Sequence, residues 1–451
     1  MEKSYYKQAM SFLEALVNYE KQRDRFKLAS LKLQRLRQLL KTLKLSPSSL
    51  CLVQIAGTKG KGSVAIFLAS ILSAHHLKVG LFTSPHLSSW RERIRIVYYR
   101  KGEIKNSYIS PRDISEFWHR YSQAVMSFYY SSRGRGLSFF ELITALGFYY
   151  FQKKKVNLAV LETGLGGKLD ATNVSPQNEL AIITPIDYDH EEILGHTLIS
   201  IAQAKAGIIK EGGAVLTNQH HAAALEVIRQ ISIARKVPLY IQGQDFYPSR
   251  VQISPQQSRF WFSFNKEKSG PFSLKQRGDY QVENAALALG AAKVFLHRHK
   301  RKFSSGSAKI ALEKLTLPGR WEIVRRKPLV ILDIAHNSFS LERLFHNLEC
   351  YYHRQFIVIF ALARDKKVGK IKQLLKEAKV AIFPHLAHMR LLTPSELKRR
   401  LEIKKAIITS NLSEAIKQAF GLAGRDGLLL ITGSTYLVAE ARVLLCKRNT
   451  I

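Results

Sequence analysis

The chain has 451 residues, enough for two domains, and 46% of them are hydrophobic, as in ordinary globular proteins. Seventy Lys and Arg against 34 Asp and Glu give a formal net charge of +36. The basic residues form short clusters along the whole chain rather than one stripe interleaved with aromatics. This favours a general basic bias, or attraction of small anions, over nucleic-acid binding.

The cysteines and the apolar segments indicate a cytoplasmic protein. Cys51, Cys350 and Cys446 are scattered, with neither metal-ligand spacing nor a disulfide framework, as is usual in a reducing compartment. The first residues contain no uninterrupted apolar run, so we expect no signal peptide. The most apolar stretch, 139–151, is too short to span a bilayer and contains Glu141, so it predicts a buried helix.

The N-terminal two thirds alternate between strand-like and helix-like patterns, which predicts a mostly parallel sheet with covered faces. A strand at 50–56 runs into a glycine loop and then a helix at 63–76, and a hairpin is expected at 249–264. The other expected strands are 78–83, 156–162, 180–187, 213–217 and 238–242, with helices at 197–210 and 220–235.

A second alternating series follows the helix expected at 281–296. The polar, basic, Ser/Gly-containing segment 298–308 predicts a linker between a domain at 1–297 and a smaller α/β domain at 309–451. Strands in this second domain are expected at 328–334, 355–362, 379–383, 405–409 and 428–432.

The stretch VQIAGTKGKGS, 53–63, has the context of a phosphate-binding loop because it lies between a strand and a helix. Gly57, Gly60 and Gly62 let the backbone turn tightly and present N–H groups to phosphate oxygens. A lysine supplies positive charge, and Ser63 is suited to magnesium. The alternative is a glycine-rich turn with incidental lysines.

Polar residues also follow two other predicted strands. Glu162 lies where open α/β sheets place their ligands, although alone it would indicate only a strand-end carboxylate in solvent. His190 is a competent metal ligand. Lys205 lies among Ala and Gly, where a bare ammonium ion would be costly, so we expect it to be paired or chemically modified. A packed core histidine and a snorkelling lysine are the alternatives.

The second domain adds Arg320, Asp333 and His336. Arg320 is suited to stabilising phosphate charge, and Asp333, at a strand end, could accept a hydrogen bond from a nucleotide. Alone, each has a plain alternative as a surface arginine or a loop cap.

Taken in order, these motifs resemble the folylpolyglutamate synthase/dihydrofolate synthase family of the Mur ligase superfamily. The resemblance reaches from about residue 50 to 442. It is carried by AGTKGKGS, FTSPHL with RERI, SFFELITAL, LETGLGGKLDATN, DHEEILGHT through AKAGIIK, QVENAALAL, LPGRWE, LDIAHN, ARDKK and ITGSTYLVAEAR.

The resemblance implies an N-terminal P-loop-type ATP-binding domain with a mostly parallel sheet and a smaller C-terminal Rossmann-like α/β domain, with substrates in the cleft between them. It implies catalytic roles for Lys61, Lys205 and His336, with Lys205 carried as a carbamate, and magnesium ligation by Ser63, Glu162 and His190. ATP contacts are implied at Gly57, Gly60, Lys61, Gly62, Ser63, Val64, Asn284, Arg320 and Asp333. Pterin-side contacts are implied at Ser138, Phe139, Phe140, Glu141, Leu169, Asp170 and Ala171.

Four residues depart from the family pattern. Lys59 stands where Asn is usual, Lys168 for Arg, Tyr280 for His, and Ile334 for Gly. Lys168 keeps the charge but loses the bidentate fork of arginine. No implied metal ligand is lost.

The implied activity is ATP-dependent amide ligation through an acyl phosphate that the amine of L-glutamate attacks. The activated group is the benzoate carboxyl of dihydropteroate or the γ-carboxyl of a folate, and we expect both reactions. The expected cofactors are ATP and Mg²⁺. The expected partners are these small molecules, with no nucleic acid and no membrane, and the chain is expected to be a monomer.

Two alternatives remain. A cell-wall Mur ligase shares the chemistry, but those enzymes place a UDP-sugar domain before the loop, and only 56 residues precede Gly57 here. The charge suggests the other alternative, a nucleic-acid-dependent P-loop ATPase, whose hydrolysis DNA or RNA would stimulate.

Overall fold

A computed structural model describes residues 2–19, 33–254, 256–353, 355–366, 368–403 and 406–446. The strands are β1 Leu52–Ala56, β2 Val79–Phe82, β3 Ile94–Arg100, β4 Glu103–Tyr108, β5 Leu158–Glu162, β6 Leu180–Ile183, β7 Ala214–Thr217, β8 Leu239–Ile241, β9 Phe246–Ile253, β10 Ser258–Phe264, β11 Glu267–Leu274, β12 Glu322–Arg326, β13 Leu329–Leu332, β14 Ile357–Phe360, β15 Val380–Pro384, β16 Ile407–Thr409 and β17 Leu428–Thr432.

The α-helices alternate with these strands along most of the chain. They are α1 Glu2–Ala15, α2 Leu33–Thr42, α3 Lys61–Ala74, α4 Pro111–Tyr130, α5 Phe139–Lys153, α6 Glu191–Leu194, α7 Leu198–Ala206, α8 Ala222–Ala234, α9 Asp279–Arg298, α10 Ser305–Glu313, α11 Ser338–Tyr352, α12 Gly369–Leu375, α13 Pro394–Leu401, α14 Leu412–Ala423 and α15 Thr435–Leu445. In the described part of the chain, no helix has the length and hydropathy needed to cross a membrane.

The first domain is built on an eight-stranded sheet in the order β4-β3-β2-β5-β1-β6-β7-β8. The strands from β2 to β8 in this order are parallel, and β3 and β4 add an antiparallel edge. β1 is central and fully buried, which explains its continuous apolar pattern. The loop that follows β1 therefore opens at the carboxyl edge of the sheet, the usual ligand side of such folds.

The faces of this sheet are covered by two different helical layers. One core packs α3, α9 and α10 against the sheet, together with the antiparallel sheet β11-β10-β9. The other core packs α1, α2, α4 and α5 on the opposite face. The hairpin expected at 249–264 is confirmed as β9 and β10, and β11 extends it.

The second domain contains a six-stranded sheet in the order β12-β13-β17-β14-β15-β16, parallel except for β12. Its strands include the expected series; the first residue of the segment 405–409 lies outside the described residues. The two-domain α/β fold class is thus confirmed.

Two expected boundaries differ from the structure. The strand expected at 180–187 ends at Ile183, because Pro185 has no N–H for the ladder and its carbonyl accepts a hydrogen bond from Thr58 instead. The expected linker 298–308 runs into α10, where Ala308, Ala311 and Leu312 form an apolar face buried with α3. The connection to the second sheet therefore follows α10.

Candidate active site

The glycine loop requires its glycines at two positions. Gly60 caps α3 with a left-handed φ of 86°, and a Cβ there would lie 2.6 Å from Oδ1 of Asn284. Gly57 has a φ of 149°, and its Cβ would lie 1.9 Å from Oγ1 of Thr184. The loop thus approaches β6 and α9 closely, and Asn284 is brought beside it as the ATP role implied.

Contacts from the segment after β6 fix the same loop in place. The Thr58 N–H donates to the Pro185 carbonyl at 2.9 Å, and Lys59 Nζ donates to Oδ2 of Asp187 at 2.8 Å. Burial opposes ionisation of Asp187, but the hydrogen bond and charge of Lys59 outweigh it and hold the pKa of that carboxyl below its usual range. Lys59, whose role the sequence alone did not explain, therefore links the loop to the segment that follows β6.

Two lysines converge on one backbone oxygen of the loop. Nζ of Lys61 donates to the Gly57 carbonyl at 3.0 Å, and Nζ of Lys205 donates to the same oxygen at 2.8 Å. Lys205 is 3% exposed, and burial, followed by the nearby charge of Lys61, lowers its pKa to about 7. Lys205 is therefore buried, and its amine has a backbone oxygen as a hydrogen-bond partner.

The candidate metal ligands lie on three neighbouring connections at this edge. Glu162 ends β5 and is buried; its Oε2 accepts the N–H of Ser84 at 2.9 Å. Burial raises the pKa of Glu162, opposed by the charge of Lys61. Ser63 lies in the first turn of α3, and Glu162 Oε2 is 3.3 Å from where a Cβ on Gly62 would lie. His190 caps α6 with a left-handed φ of 54°.

The second domain contributes the residues after β13. Asp333 accepts the N–H groups of Trp321 and Ala335, each at 2.8 Å. Burial raises the pKa of Asp333, while Arg320 opposes the shift. His336 Nδ1 donates to the Ile334 carbonyl at 2.9 Å, and burial, aided by the charge of Lys366, lowers the pKa of His336 to about 4. The imidazole is therefore neutral at physiological pH and has its lone pair on Nε2.

All three connections of the first domain and the second-domain residues face one cavity of about 650 Å³. Of the residues expected from sequence, those that line it are Gly60, Lys61, Gly62, Ser63, Ser138, Phe140, Glu141, Glu162, Leu169, Asp170, Ala171, His190, Asn284, Arg320, Asp333 and His336. The others do not line it: Gly57 is the loop residue whose carbonyl Lys205 contacts, Val64 is in the core, and Phe139 packs against Trp90.

Two expected pterin-side carboxylates already have protein partners. Glu141 forms a buried bidentate ion pair with Arg35, with both N–O distances 2.8 Å, and caps α5 through Ser138. Asp170 accepts hydrogen bonds from the N–H groups of Leu165 and Thr172. The ion pair of Glu141 and the hydrogen bonds of Asp170 therefore stabilise the conformation of the cavity walls.

The structure adds cavity residues that the sequence did not single out. Arg93 is fully buried, and its Nε donates to Nδ1 of His86 at 2.9 Å. Lys366 and Ser434 follow β14 and β17. Arg93 directly precedes β3. These three residues belong to the motifs RERI, ARDKK and ITGSTYL, and these motifs were the signal by which the sequence could have identified them. Of the departures from the family pattern, Lys59, Tyr280 and Ile334 line the cavity.

The donor set fits a magnesium ion bound together with nucleotide phosphates. Ser63 and Glu162 offer hard oxygen atoms, and the buried carboxylate of Glu162 is costly to ionise without a nearby cation. Magnesium usually keeps waters and substrate oxygens, so it needs only one or two protein carboxylates.

Comparisons with known proteins agree with this geometry. Residues 138–292 match the Mur ligase middle domain, and residues 319–435 match the Mur ligase, glutamate ligase domain. The dihydrofolate synthase/folylpolyglutamate synthase of Bacillus subtilis (strain 168) is 30% identical over 411 residues, covering 90% of this chain and 93% of that protein.

Solved structures are similar over the whole length. Mycobacterium tuberculosis folylpolyglutamate synthase complexed with ADP superposes with a TM-score of 0.86 at 27% identity, covering 100% of both chains. An FPGS–AMPPCP–folate complex has a TM-score of 0.81 at 25% identity, covering 98% of this chain and 99% of the other.

The two domains and the nucleotide-type loop of the first domain define an ATP-dependent ligase of the Mur type. Within that class, the chain belongs to the dihydrofolate synthase/folylpolyglutamate synthase family. The family resemblance stated from the sequence is confirmed.

Proposed function

We propose that this ligase joins L-glutamate both to dihydropteroate and to the γ-carboxyl of folates. The observation that carries the proposal is a cavity of about 650 Å³ with the phosphate-type loop on one wall and Arg320, Asp333 and His336 on the other. In this proposal, nucleotide at the loop and the acceptor acid meet in the space between these walls. The names of the relatives support the proposal: one is a dihydrofolate synthase/folylpolyglutamate synthase, and one FPGS structure is a complex with AMPPCP and folate.

The proposed reaction has two steps. The acceptor carboxylate attacks the γ-phosphorus of ATP, which forms an acyl phosphate and releases ADP. The amine of glutamate then attacks the acyl carbon, forming the amide and releasing phosphate and a proton. Lys61 and Arg320 neutralise the charge of the transferring group, and neutral His336 offers Nε2 as a hydrogen-bond acceptor to the incoming amine.

In this proposal Ser63, Glu162 and His190 hold Mg²⁺ when nucleotide is bound, and the ion supplies charge neutralisation at the phosphates. Lys205 acts as a carbamate. With a pKa of about 7, a substantial fraction of this amine is neutral near pH 7, and only a neutral amine can add to CO₂. The carbamate would convert a buried cation into an anion beside the loop. We propose a monomeric, cytoplasmic enzyme.

One assay tests the activity directly. Purified protein is incubated with ATP, Mg²⁺ and labelled L-glutamate, with dihydropteroate or tetrahydrofolate in separate reactions. We expect incorporation with each acceptor, and release of ADP that depends on both acceptor and glutamate. Incorporation with neither acceptor would refute the proposal, and ATP hydrolysis stimulated by DNA or RNA instead would support the nucleic-acid-dependent alternative.

A further inference from the structure

Three ligand-type side chains meet at the edge of the first sheet opposite the glycine loop. Cys51 directly precedes β1, Glu179 directly precedes β6, and His299 caps the C-terminus of α9. Sγ of Cys51 lies 3.8 Å from Nε2 of His299, which lies 3.8 Å from Oε2 of Glu179. All three ligand atoms are within 4.8 Å of one another.

The backbone of these three residues is held by the fold. The Cys51 carbonyl accepts the N–H of Ala159 at 2.8 Å, and the Glu179 N–H donates to the Leu52 carbonyl at 2.8 Å. The imidazole of His299 packs on Phe295 with ring centroids 4.4 Å apart. Little backbone conformational entropy is therefore lost when a ligand binds, because Cys51 and Glu179 directly precede paired strands.

We propose that Cys51, Glu179 and His299 form a binding site for a zinc-class divalent ion. Thiolate, imidazole and carboxylate are the ligand types that Zn²⁺ prefers in tetrahedral geometry. Metal–ligand bonds of about 2.0–2.3 Å put tetrahedral ligand atoms about 3.3–3.7 Å apart, close to the observed spacing. The Cys51 thiol releases its proton on binding, and water takes the fourth position because Glu179 and His299 are partly exposed.

Arg298 sets the expected strength of this site. Its Nη2 lies 3.3 Å from Oε2 of Glu179, and it also donates to the Gly212 carbonyl. A guanidinium beside the ligand carboxylate repels a divalent cation and competes for the oxygen. We therefore expect the Arg298→Gln variant to bind the ion more tightly than the wild type, at least threefold.

The test uses Co²⁺ as a spectroscopic substitute for Zn²⁺, with untagged full-length protein free of nucleotide. Tetrahedral thiolate coordination gives a sulfur-to-cobalt charge-transfer band, which oxygen and imidazole ligands of the active site cannot produce. We expect one equivalent of Co²⁺ to produce this band and Zn²⁺ to abolish it. Cys51→Ser should lose the band, and His299→Gln should weaken binding at least tenfold.

Cys350→Ser is the matched control, because Cys350 also has a histidine neighbour, with Sγ 3.5 Å from Nε2 of His346, but no third ligand within reach among the described residues. It should keep the band and affinity of the wild type. Far-UV circular dichroism verifies that each variant is folded. If Cys51→Ser does not fold, the affinity of His299→Gln for Co²⁺ decides the outcome. No band in the wild type, or a band lost with Cys350→Ser, would overturn the proposal.

Discussion

The two lysines of the loop differ in what they contact, so substitutions should separate them. Lys61 contacts the loop backbone, with Nζ 3.0 Å from the Gly57 carbonyl, whereas Lys59 forms a partly exposed ion pair with Asp187. Such a pair contributes about 0.2–1 kcal/mol. We expect Lys59→Asn to keep kcat within a few-fold of the wild type, and Lys61→Met to lose nearly all activity, measured by glutamate incorporation. Equal losses in the two variants would contradict the assignment of Lys61 to the phosphates.

Lys205 gives a test of the carbamate. Lys205→Ala removes the side chain and leaves a space beneath the loop, so we expect a loss of activity that short carboxylates such as acetate partly restore. Chloride at equal ionic strength is the control, because it brings charge without a carboxylate. Unchanged activity of the variant would remove Lys205 from the mechanism.

His336 should make stability depend on pH in a definite direction. Its folded-state pKa is about 4 because of burial, against about 6.5 in an unfolded chain. Between pH 6.5 and 4, His336 binds a proton in the unfolded chain but not in the folded protein. The free energy of unfolding that this histidine contributes above pH 6.5 is therefore lost as the pH falls toward 4. His336→Gln lacks this titration. The Tm of the variant should therefore rise relative to the wild type between pH 7 and 4.5, and a constant difference would contradict a buried neutral histidine.

At the scale of the element, the N-terminus of α3 can be tested through matched glycines. Gly60 and Gly102 both have positive φ, 86° and 77°, but a Cβ at Gly60 meets Asn284 while one at Gly102 meets nothing within 4 Å. Alanine at either position carries a backbone strain of about 1 kcal/mol or more. We expect only Gly60→Ala to raise the KM for ATP, at least tenfold, in initial-rate measurements. An equal rise in Gly102→Ala would show that the effect is general destabilisation.

Periodicity predicted most parallel strands because they are buried on both faces and read as short apolar runs. It did not predict β4, whose mostly exposed residues give no apolar run, and it also missed β3 and α4. Sheet order was equally unreadable, because it depends on pairings such as β1 with β5, more than 100 residues apart. The cavity residues at strand ends could be predicted without knowing the sheet order. The carboxyl ends of parallel strands lie at the same edge of the sheet, whatever the order of the strands.

Contacts between distant residues mark the limit of what one sequence predicts. The Lys59–Asp187 pair spans 128 positions, and the Arg35–Glu141 pair spans 106. The cysteines likewise showed no metal-ligand spacing, yet Cys51 lies beside His299, 248 positions away. Such pairs are set by the packing of α2, α9 and the sheet, which leaves no local pattern in the chain.

At the scale of the whole molecule, the net charge of +36 should act on substrate capture. ATP, folates and glutamate are anions, so a positive electrostatic field raises the rate at which they encounter the protein. Salt weakens this attraction, because at 0.1 M it screens charges that are more than about 10 Å apart. We expect kcat/KM for ATP to fall as NaCl rises from about 0.05 to about 0.5 M, while kcat changes little. A kcat that falls in parallel would place the salt effect in the reaction itself rather than in capture.

The carbonyl oxygen of Gly57 receives hydrogen bonds from Lys61 and from Lys205, which lies 148 positions further along the chain. A single acceptor atom thus makes the two positions epistatic. Removing Lys61 leaves Lys205 with the whole oxygen and without the positive charge that lowers its pKa, whereas removing Lys205 leaves the oxygen to Lys61. The effects of the two single substitutions therefore do not sum to that of the double substitution, and neither lysine has a contribution that belongs to it alone.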